Sequence, residues 1–122
     1  MKSNHTGIKR ILKAFCYSYD GFTATFKSEA AFRQDLLFCL VMGLFLFWLP
    51  VRGAALAFLI FSLFLILLME LINTGLEAVI DRIGAKYHPL SKKAKDIGSL
   101  LVLLAFINWG IVWGIIVLPI LF

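Results

Sequence analysis

The stretch AALAFLIFSLFLILLMELINTGLEAVIDRIG at residues 54–84 decides the fold. Residues 54–69 carry no charged side chain, and no signal that ends a helix occurs before Gly84. We therefore predict one helix over about residues 53–82, whose apolar part crosses a membrane and whose last turns extend into the cytoplasm. Polar residues begin at Glu70, where the apolar run ends.

Two further stretches lack charge, at residues 36–49 and 97–122, and 61% of the whole chain is hydrophobic. The first of them is shorter than the roughly 20 residues that cross a bilayer, so its helix must include polar flanking residues. We expect these spans at about residues 30–49 and 95–120. The sequence thus predicts a single all-α membrane domain over residues 1–122, with a tight external turn at residues 49–53 and a loop at residues 84–91 that contains Pro89.

The 12 Lys and Arg residues are distributed unevenly along the chain. Six precede the first uncharged stretch at residues 36–49, five lie between the second at residues 54–69 and the third at residues 97–122, and Arg52 alone lies between the first and the second. Basic residues accumulate on the cytoplasmic side of membrane proteins. We therefore predict a cytoplasmic N-terminus and a periplasmic C-terminus. The net charge of +5 then reports topology and contact with anionic lipid, and no nucleic-acid partner is expected.

The N-terminal region has the pattern of an amphipathic helix at about residues 7–27. Its apolar residues recur at spacings of three and four: Ile8, Ile11 or Leu12, Phe15, Tyr19, Phe22 and Phe26. A basic helix with an aromatic stripe suits the headgroup region of a membrane. Asp20-Gly21 is a point at which it could divide into two helices. Periodicity alone leaves open whether this helix is an anchor or also binds substrate. Residues 1–22 lack the apolar core of a signal peptide.

Three polar residues share one face of the long helix, because Glu70, Asn73 and Glu77 are spaced i, i+3 and i+7. A carboxylate at the end of an apolar run is costly unless it faces a protein or water-filled interior, which makes it a functional candidate. The alternative is that these groups only join helices. Seven residues separate the two acids by about 10 Å along the axis. We therefore assign Glu70 to proton removal at the depth of a lipid hydroxyl, and Glu77 to a Mg²⁺ ion.

Other charged residues could complete such a site. Glu29 precedes the first span and could be a second Mg²⁺ ligand. Lys95 could neutralise phosphate charge, and Asp96 could orient that lysine or accept hydrogen bonds from a nucleotide. From the dipeptide alone, an ordinary solvated charge pair is the simpler interpretation of Lys95 and Asp96.

Known nucleotide-binding and nucleophile motifs are absent from the sequence. It contains no GxxxxGK[ST] loop and no HRD or DFG element. Cys16 and Cys39 form no metal or disulfide pattern, and we interpret both as small apolar residues. His5 and His88 form no ligand cluster. Ser62 lies inside an apolar run and is expected to hydrogen-bond its own helix.

Three segments carry a family resemblance: EAAFRQD at residues 29–35, ELINTGLEAVIDRIG at residues 70–84 and YHPLSKKAKDIGS at residues 87–99. They resemble the signatures of the prokaryotic diacylglycerol kinases, integral enzymes of the bacterial inner membrane, and the similarity covers nearly the whole chain. The resemblance implies a homotrimer of three-span subunits with active sites at subunit boundaries. It also implies direct transfer of the γ-phosphate of MgATP to diacylglycerol.

The resemblance also implies roles for individual residues. Glu70 would be the general base, Glu29 and Glu77 would hold Mg²⁺, and Asn73 would support them. ATP contacts would fall on Arg10, Tyr17, Glu29, Glu77, Lys86, Tyr87, His88, Lys95 and Asp96. Lipid contacts would fall on Arg10, Ala14, Phe15, Cys16, Tyr17, Ser18, Tyr19, Ala31, Phe32, Arg33, Gln34, Asp35, Trp48, Leu49, Pro50, Val51, Glu70, Ser99, Trp113, Gly114, Ile115, Ile116, Val117 and Leu118. Asp35 stands where the family pattern has Glu.

Two other functions fit parts of the pattern. Undecaprenol kinases form a related branch that shares the ExxNxxxE and AKD elements, but AFRQD at residues 31–35 and DRIG at residues 81–84 favour diacylglycerol. A non-enzymatic membrane assembly or transporter subunit would explain three spans and buried carboxylates. It would not explain why Glu29, Lys95 and Asp96 fall at one cytoplasmic rim.

Overall fold

The computed structural model describes residues 6–122, and all regular secondary structure in this range is helical. Its four helices follow one another as α1 (Gly7–Ser28), α2 (Ala30–Phe45), α3 (Ala54–Ile83) and α4 (Pro89–Leu121). Within this range α3 and α4 are long and apolar enough to cross a membrane, whereas α2 has only 16 residues. The predicted all-α class is therefore confirmed. His5 lies outside the described residues.

The long helix α3 lies within one residue of its predicted bounds. It begins after Gly53, whose φ of 65° and ψ of −139° suit glycine, and it ends before Gly84. No proline interrupts its 30 residues. The absence of helix-ending signals in the sequence was therefore sufficient to predict this helix.

The helix α2 ends at Phe45, four residues before the predicted end of the first span. Beyond it the backbone tightens: the amides of Leu46, Phe47 and Trp48 donate to carbonyls three residues earlier, at 3.2, 3.2 and 3.1 Å. Pro50 lacks an N–H and disfavours helical geometry at the residue before it. The connection to α3 therefore starts earlier than residues 49–53, and α2 is four residues shorter than the predicted first span, whose bounds in a membrane stay a prediction.

The helix α4 begins at Pro89, so the loop before it is shorter than residues 84–91. Proline suits the first helical turn because the amide it lacks would have no partner there. The side chain of His88 caps the helix, with Nδ1 accepting a hydrogen bond from the amide of Leu90 at 3.1 Å. The prediction of Pro89 within a loop is therefore corrected to a helix start.

The helix α1 is continuous, so it is not divided at Asp20-Gly21, the point at which the sequence would have allowed a division. No residue of α1 is buried in the described chain. It breaks from α2 at Glu29, whose backbone is extended. Arg33 of α2 holds this junction, because its Nη1 donates to the carbonyls of Phe26 and Lys27 at 2.6 and 3.2 Å. The first helix is therefore tied to the rest of the molecule mainly at its C-terminal end.

The core lies where α3 packs along α4, with α2 against α3 and the ring of Phe38 on α2 also in contact with Phe106 and Trp109 of α4. Its buried members are Cys39, Leu59, Leu63, Ile66, Ala105 and Trp113. Ser62 is buried among them, donates to the carbonyl of Leu59 at 2.7 Å and accepts the indole N–H of Trp113 at 2.9 Å. The predicted bond of Ser62 to its own helix is confirmed. This packing fixes the face of α3 that continues to Glu70.

Candidate active site

Glu70 is a buried carboxylate in the middle of α3, with only 5% of its surface exposed. Its side chain lies within hydrogen-bonding reach of Asp35 on α2 and of Asn73 on its own helix. Neither of the two salt bridges found among residues 6–122 includes Glu70. A carboxyl group in such a place is costly unless it has a role or a partner.

In the cluster formed by Asp35, Glu70 and Asn73, two oxygen atoms beside Glu70 lack a hydrogen-bond donor. Asp35 Oδ2 and Asn73 Oδ1 are buried, and neither has a hydrogen-bond partner within the described part of the chain. Gly98 of α4 packs against Asn73 so closely that a methyl group in its place would overlap Oδ1. The cluster therefore has a surplus of acceptors. A hydroxyl group could supply the missing donor.

The predicted Mg²⁺ ligands lie away from this cluster. Glu77 is half-buried two turns further along α3, and Glu29 is half-buried at the junction of α1 and α2. No group of three or more His, Cys, Asp or Glu side chains arranged for a metal occurs in residues 6–122. Two carboxylates fit the usual Mg²⁺ site, which takes its remaining ligands from water and substrate phosphates. The donor types therefore suit Mg²⁺ bound together with ATP.

A basic cleft of about 460 Å³ opens where α3 meets α4 at their connecting loop. Five of the nine predicted ATP-binding residues line it together: Lys86, Tyr87, His88, Lys95 and Asp96. Arg10, Tyr17, Glu29 and Glu77 are not among its lining residues. The fold therefore gathers one part of the predicted nucleotide site in a single chain.

Lys95, which was predicted to neutralise phosphate charge, and Asp96 each have an internal partner in this cleft, and Asp96 does not orient Lys95 as the sequence suggested. Lys95 Nζ lies 3.0 Å from Asp81 Oδ1 across the two helices, and Lys92 Nζ lies 2.6 Å from Asp96 Oδ2 one turn away. All four side chains are largely exposed. Such pairs contribute little and rearrange easily. Asp81 was not singled out from the sequence, because its partner is fourteen residues away on another helix.

The predicted lipid contacts are spread over the molecule. Those on α1 are exposed, as are Ala31, Arg33, Gln34 and Ser99, whereas Phe32 and Trp113 are buried against protein. Trp48 and Pro50 are exposed at the turn between α2 and α3, at the opposite end of these helices from Asp35 and Glu77. In the single chain these residues do not form one surface. Their role as lipid contacts stays a prediction.

A narrow apolar groove of about 210 Å³ runs between α2 and α3. Its lining includes Leu36, Cys39, Gly43, Leu63 and Leu67. Cys39 lies one turn from Asp35, and Leu67 lies one turn from Glu70, so the groove begins beside the carboxyl groups. No sequence pattern predicted this groove, because it arises where two helices approach each other.

Comparisons with known proteins agree on one family. The sequence profile of the family described as prokaryotic diacylglycerol kinase matches residues 16–117. The Diacylglycerol kinase of Escherichia coli K12 is 44% identical over 116 residues, 95% of each chain. That of Pseudomonas aeruginosa is 43% identical, over 93% of this chain and 92% of the relative, and that of Helicobacter pylori J99 is 40% identical, over 88% and 84%. The chain therefore belongs to the prokaryotic diacylglycerol kinase family.

Proposed function

We propose that this protein transfers the γ-phosphate of ATP to the hydroxyl group of diacylglycerol, forming phosphatidic acid and ADP. One observation carries the proposal: Glu70 is buried among unpartnered acceptor oxygens beside an apolar groove. A lipid with one acyl chain in that groove would present its hydroxyl near the cluster. The names of the relatives support diacylglycerol as this lipid.

In the proposed reaction Glu70 accepts the proton of the lipid hydroxyl. The lipid oxygen forms a bond to the γ-phosphorus while the bond from that phosphorus to the β-γ bridging oxygen breaks, and the electron pair leaves with ADP. Proton transfer to a positioned carboxylate typically contributes on the order of 10²- to 10⁴-fold in rate. Most of the remaining acceleration in phosphoryl transfer comes from positioning and charge neutralisation.

Glu77 and Glu29 would hold Mg²⁺, which supplies charge neutralisation on the phosphates when it is bound. Lys95 would add a positive charge at the same end of the molecule, after exchanging Asp81 for a phosphate oxygen. The basic cleft is a suitable entrance because it is open and its lining carries Lys86, Lys92 and Lys95. The nucleotide would therefore approach from the aqueous side, and the lipid from the membrane.

The protein is associated with a membrane through its apolar helices. We further propose that α2, extended by its flanking residues, is a third span, and that three subunits assemble with shared active sites. The N-terminus and the loop before α4 would be cytoplasmic, and the C-terminus periplasmic, in a bacterial inner membrane. An accessibility tag at the C-terminus should report the periplasm, and one in the loop at residues 84–88 the cytoplasm. A cytoplasmic C-terminus would overturn the three-span arrangement.

The function is tested by offering diacylglycerol and undecaprenol together in mixed micelles, with labelled γ-phosphate on MgATP. We expect label in phosphatidic acid. Label chiefly in undecaprenyl phosphate would identify the related branch instead. No transfer by folded protein would favour a non-enzymatic membrane subunit.

The metal role is tested with Glu77→Gln, which keeps the size of the side chain and weakens one Mg²⁺ ligand. Activity should fall, and part of it should return as Mg²⁺ concentration rises. Asp20→Asn is a matched control, because Asp20 is an exposed acid of α1 outside the proposed site. An unchanged Mg²⁺ dependence would make Glu77 structural.

A further inference from the structure

The contact between Asp35 and Glu70 joins two helices through two carboxyl groups. Asp35 lies on the face of α2 that packs against α3, and Glu70 is buried on the opposing face. Their side chains are within hydrogen-bonding reach. Each carboxylate only accepts hydrogen bonds when it is ionised, so two ionised groups cannot satisfy each other.

No basic side chain neutralises the two carboxyl groups of Asp35 and Glu70. Arg33 is the closest basic residue to Asp35 in sequence, but its guanidinium donates to backbone carbonyls at the end of α1. Lys95 is engaged with Asp81 at the exposed end of α3 and α4. Neither carboxyl group has a Lys, Arg or His partner in the part of the chain that the structure describes.

The neighbouring polar groups on α2, α3 and α4 also fail to supply a donor to Asp35. Asn73 contacts Glu70, while its own Oδ1 is directed at Gly98 and lacks a partner. Cys39 lies one turn from Asp35, and its Sγ is within 3.4 Å of the carbonyl of Leu63. Asp35 Oδ2 therefore remains a buried acceptor without a donor. A buried acceptor of this kind requires an explanation.

We propose that Asp35 is a positioning residue for phosphoryl transfer, and that it holds the Glu70 carboxyl through one proton shared between the two groups. Two carboxyl groups within hydrogen-bonding reach of each other are known to share a proton rather than both ionise. The inference rests on the proposed function and deepens it. It assigns Asp35 an action through Glu70, in addition to the lipid contact that the family resemblance implies.

The proton balance is simple. Before reaction the pair holds one proton and one negative charge, and the free oxygen of Glu70 is aimed at the lipid hydroxyl. As the lipid oxygen bonds to phosphorus, its proton moves to Glu70 and ADP departs with the bond electrons. The pair is then neutral with two protons, and it releases one to water after the product leaves.

Three variants test the positioning role. Asp35→Ala should lower kcat on the order of 10²-fold, since a misplaced catalytic group costs about that much, with the KM for MgATP unchanged. Asp35→Asn can donate an amide hydrogen where the shared proton lay, so it should retain more activity than Asp35→Ala. Asp35→Glu should also recover activity, because it restores the carboxyl group. If both Asp35→Ala and Asp35→Asn raise the KM for lipid and leave kcat unchanged, Asp35 is a substrate contact only. That result would overturn the proposal.

Infrared spectroscopy tests the shared proton without relying on turnover. The folded protein should show the C=O stretch of a protonated carboxyl group, and both Asp35→Asn and Glu70→Gln should remove that band. Asp20→Asn should leave it in place. Absence of the band from the unaltered protein would overturn proton sharing even if the protein phosphorylates diacylglycerol. Presence of the band without kinase activity would instead refute the proposed function and leave the pairing intact.

Discussion

The paired helices α3 and α4 have two contrasting ends. Their apolar half buries Ser62, Trp113 and Glu70. Some polar atoms there have one buried partner, as Trp113 has in Ser62, and others, such as Asn73 Oδ1, have no partner. Their exposed end carries Lys92, Lys95 and the acids that pair with them, in contact with water. A single pair of helices thus presents two different electrostatic environments.

This difference suits the two chemical tasks of the reaction that we propose. In the apolar half each polar group interacts strongly, because little water screens it, and a change there is costly. At the exposed end charges are screened, and pairs can exchange partners at little cost. Proton transfer needs a fixed group, whereas a nucleotide must enter and leave. We therefore expect the effect of a substitution on activity or stability to decrease from the buried half of the helix pair toward its exposed end.

The largest effect is expected from Glu70→Gln. This variant keeps size and hydrogen-bonding capacity but removes the proton acceptor, so kcat should fall on the order of 10²- to 10⁴-fold. MgATP binding should persist, since Glu77 lies about 10 Å further along α3. Binding and turnover should be measured on one folded preparation. Near-normal turnover would exclude Glu70 as the base, and loss of both properties would indicate a structural or metal role.

A smaller effect is expected from Gly98→Ala. The added methyl group would overlap Asn73 Oδ1, so the side chain of Asn73 must move. Overpacking of this kind typically costs about 1–3 kcal/mol. Unfolding in mixed detergent measures it.

Gly110→Ala is the matched control on the same helix, because its new methyl group would lie within 4 Å of no described atom outside its own helical turn. Equal stability of the two variants would show that Asn73 moves freely and that its contact with Gly98 does not contribute to the free energy of unfolding.

Ser62→Ala should have a more moderate effect on stability. It removes the acceptor of the Trp113 indole, and hydrogen bonds between membrane helices contribute about 0.6–1.7 kcal/mol. A double-mutant cycle with Trp113→Phe isolates the interaction. Additive losses in that cycle would show that the bond contributes nothing.

The smallest effect is expected from Asp81→Asn at the exposed end. The pair with Lys95 is more than a third exposed on both sides, so its loss should change stability by less than about 1 kcal/mol. If the nucleotide displaces Asp81, the KM for MgATP should fall by at most about fivefold. A raised KM would mean instead that Asp81 helps to bind the nucleotide.

Local sequence signals predicted some parts of the molecule well. The bounds of α3 followed from an apolar run at residues 54–69 and from the absence of a proline between Gly53 and Gly84, and Ser62 was assigned its helical hydrogen bond correctly. The end of α2 was missed because the residues before Pro50 are apolar and carry no turn signal. Pro89 was read as a loop residue, although a proline can equally begin a helix.

The site was predictable only within single helices. The spacing of Glu70, Asn73 and Glu77 places them on one face, and five nucleotide candidates do share one cleft. The sequence pattern did not predict contacts between helices, such as the contact of Asp35 with Glu70. Such contacts depend on the rotation of each helix about its axis, which packing alone decides.

The short loop between α3 and α4 has a consequence for biosynthesis. A hairpin of neighbouring helices closes quickly, since little chain entropy is lost in joining them. These two helices nevertheless leave the ribosome after α1 and α2. If α2 is the third span that we propose, the nascent helix brings Asp35 to the bilayer before its partner Glu70 on α3 has been synthesised. That carboxyl group would then stay near the lipid surface until α3 follows.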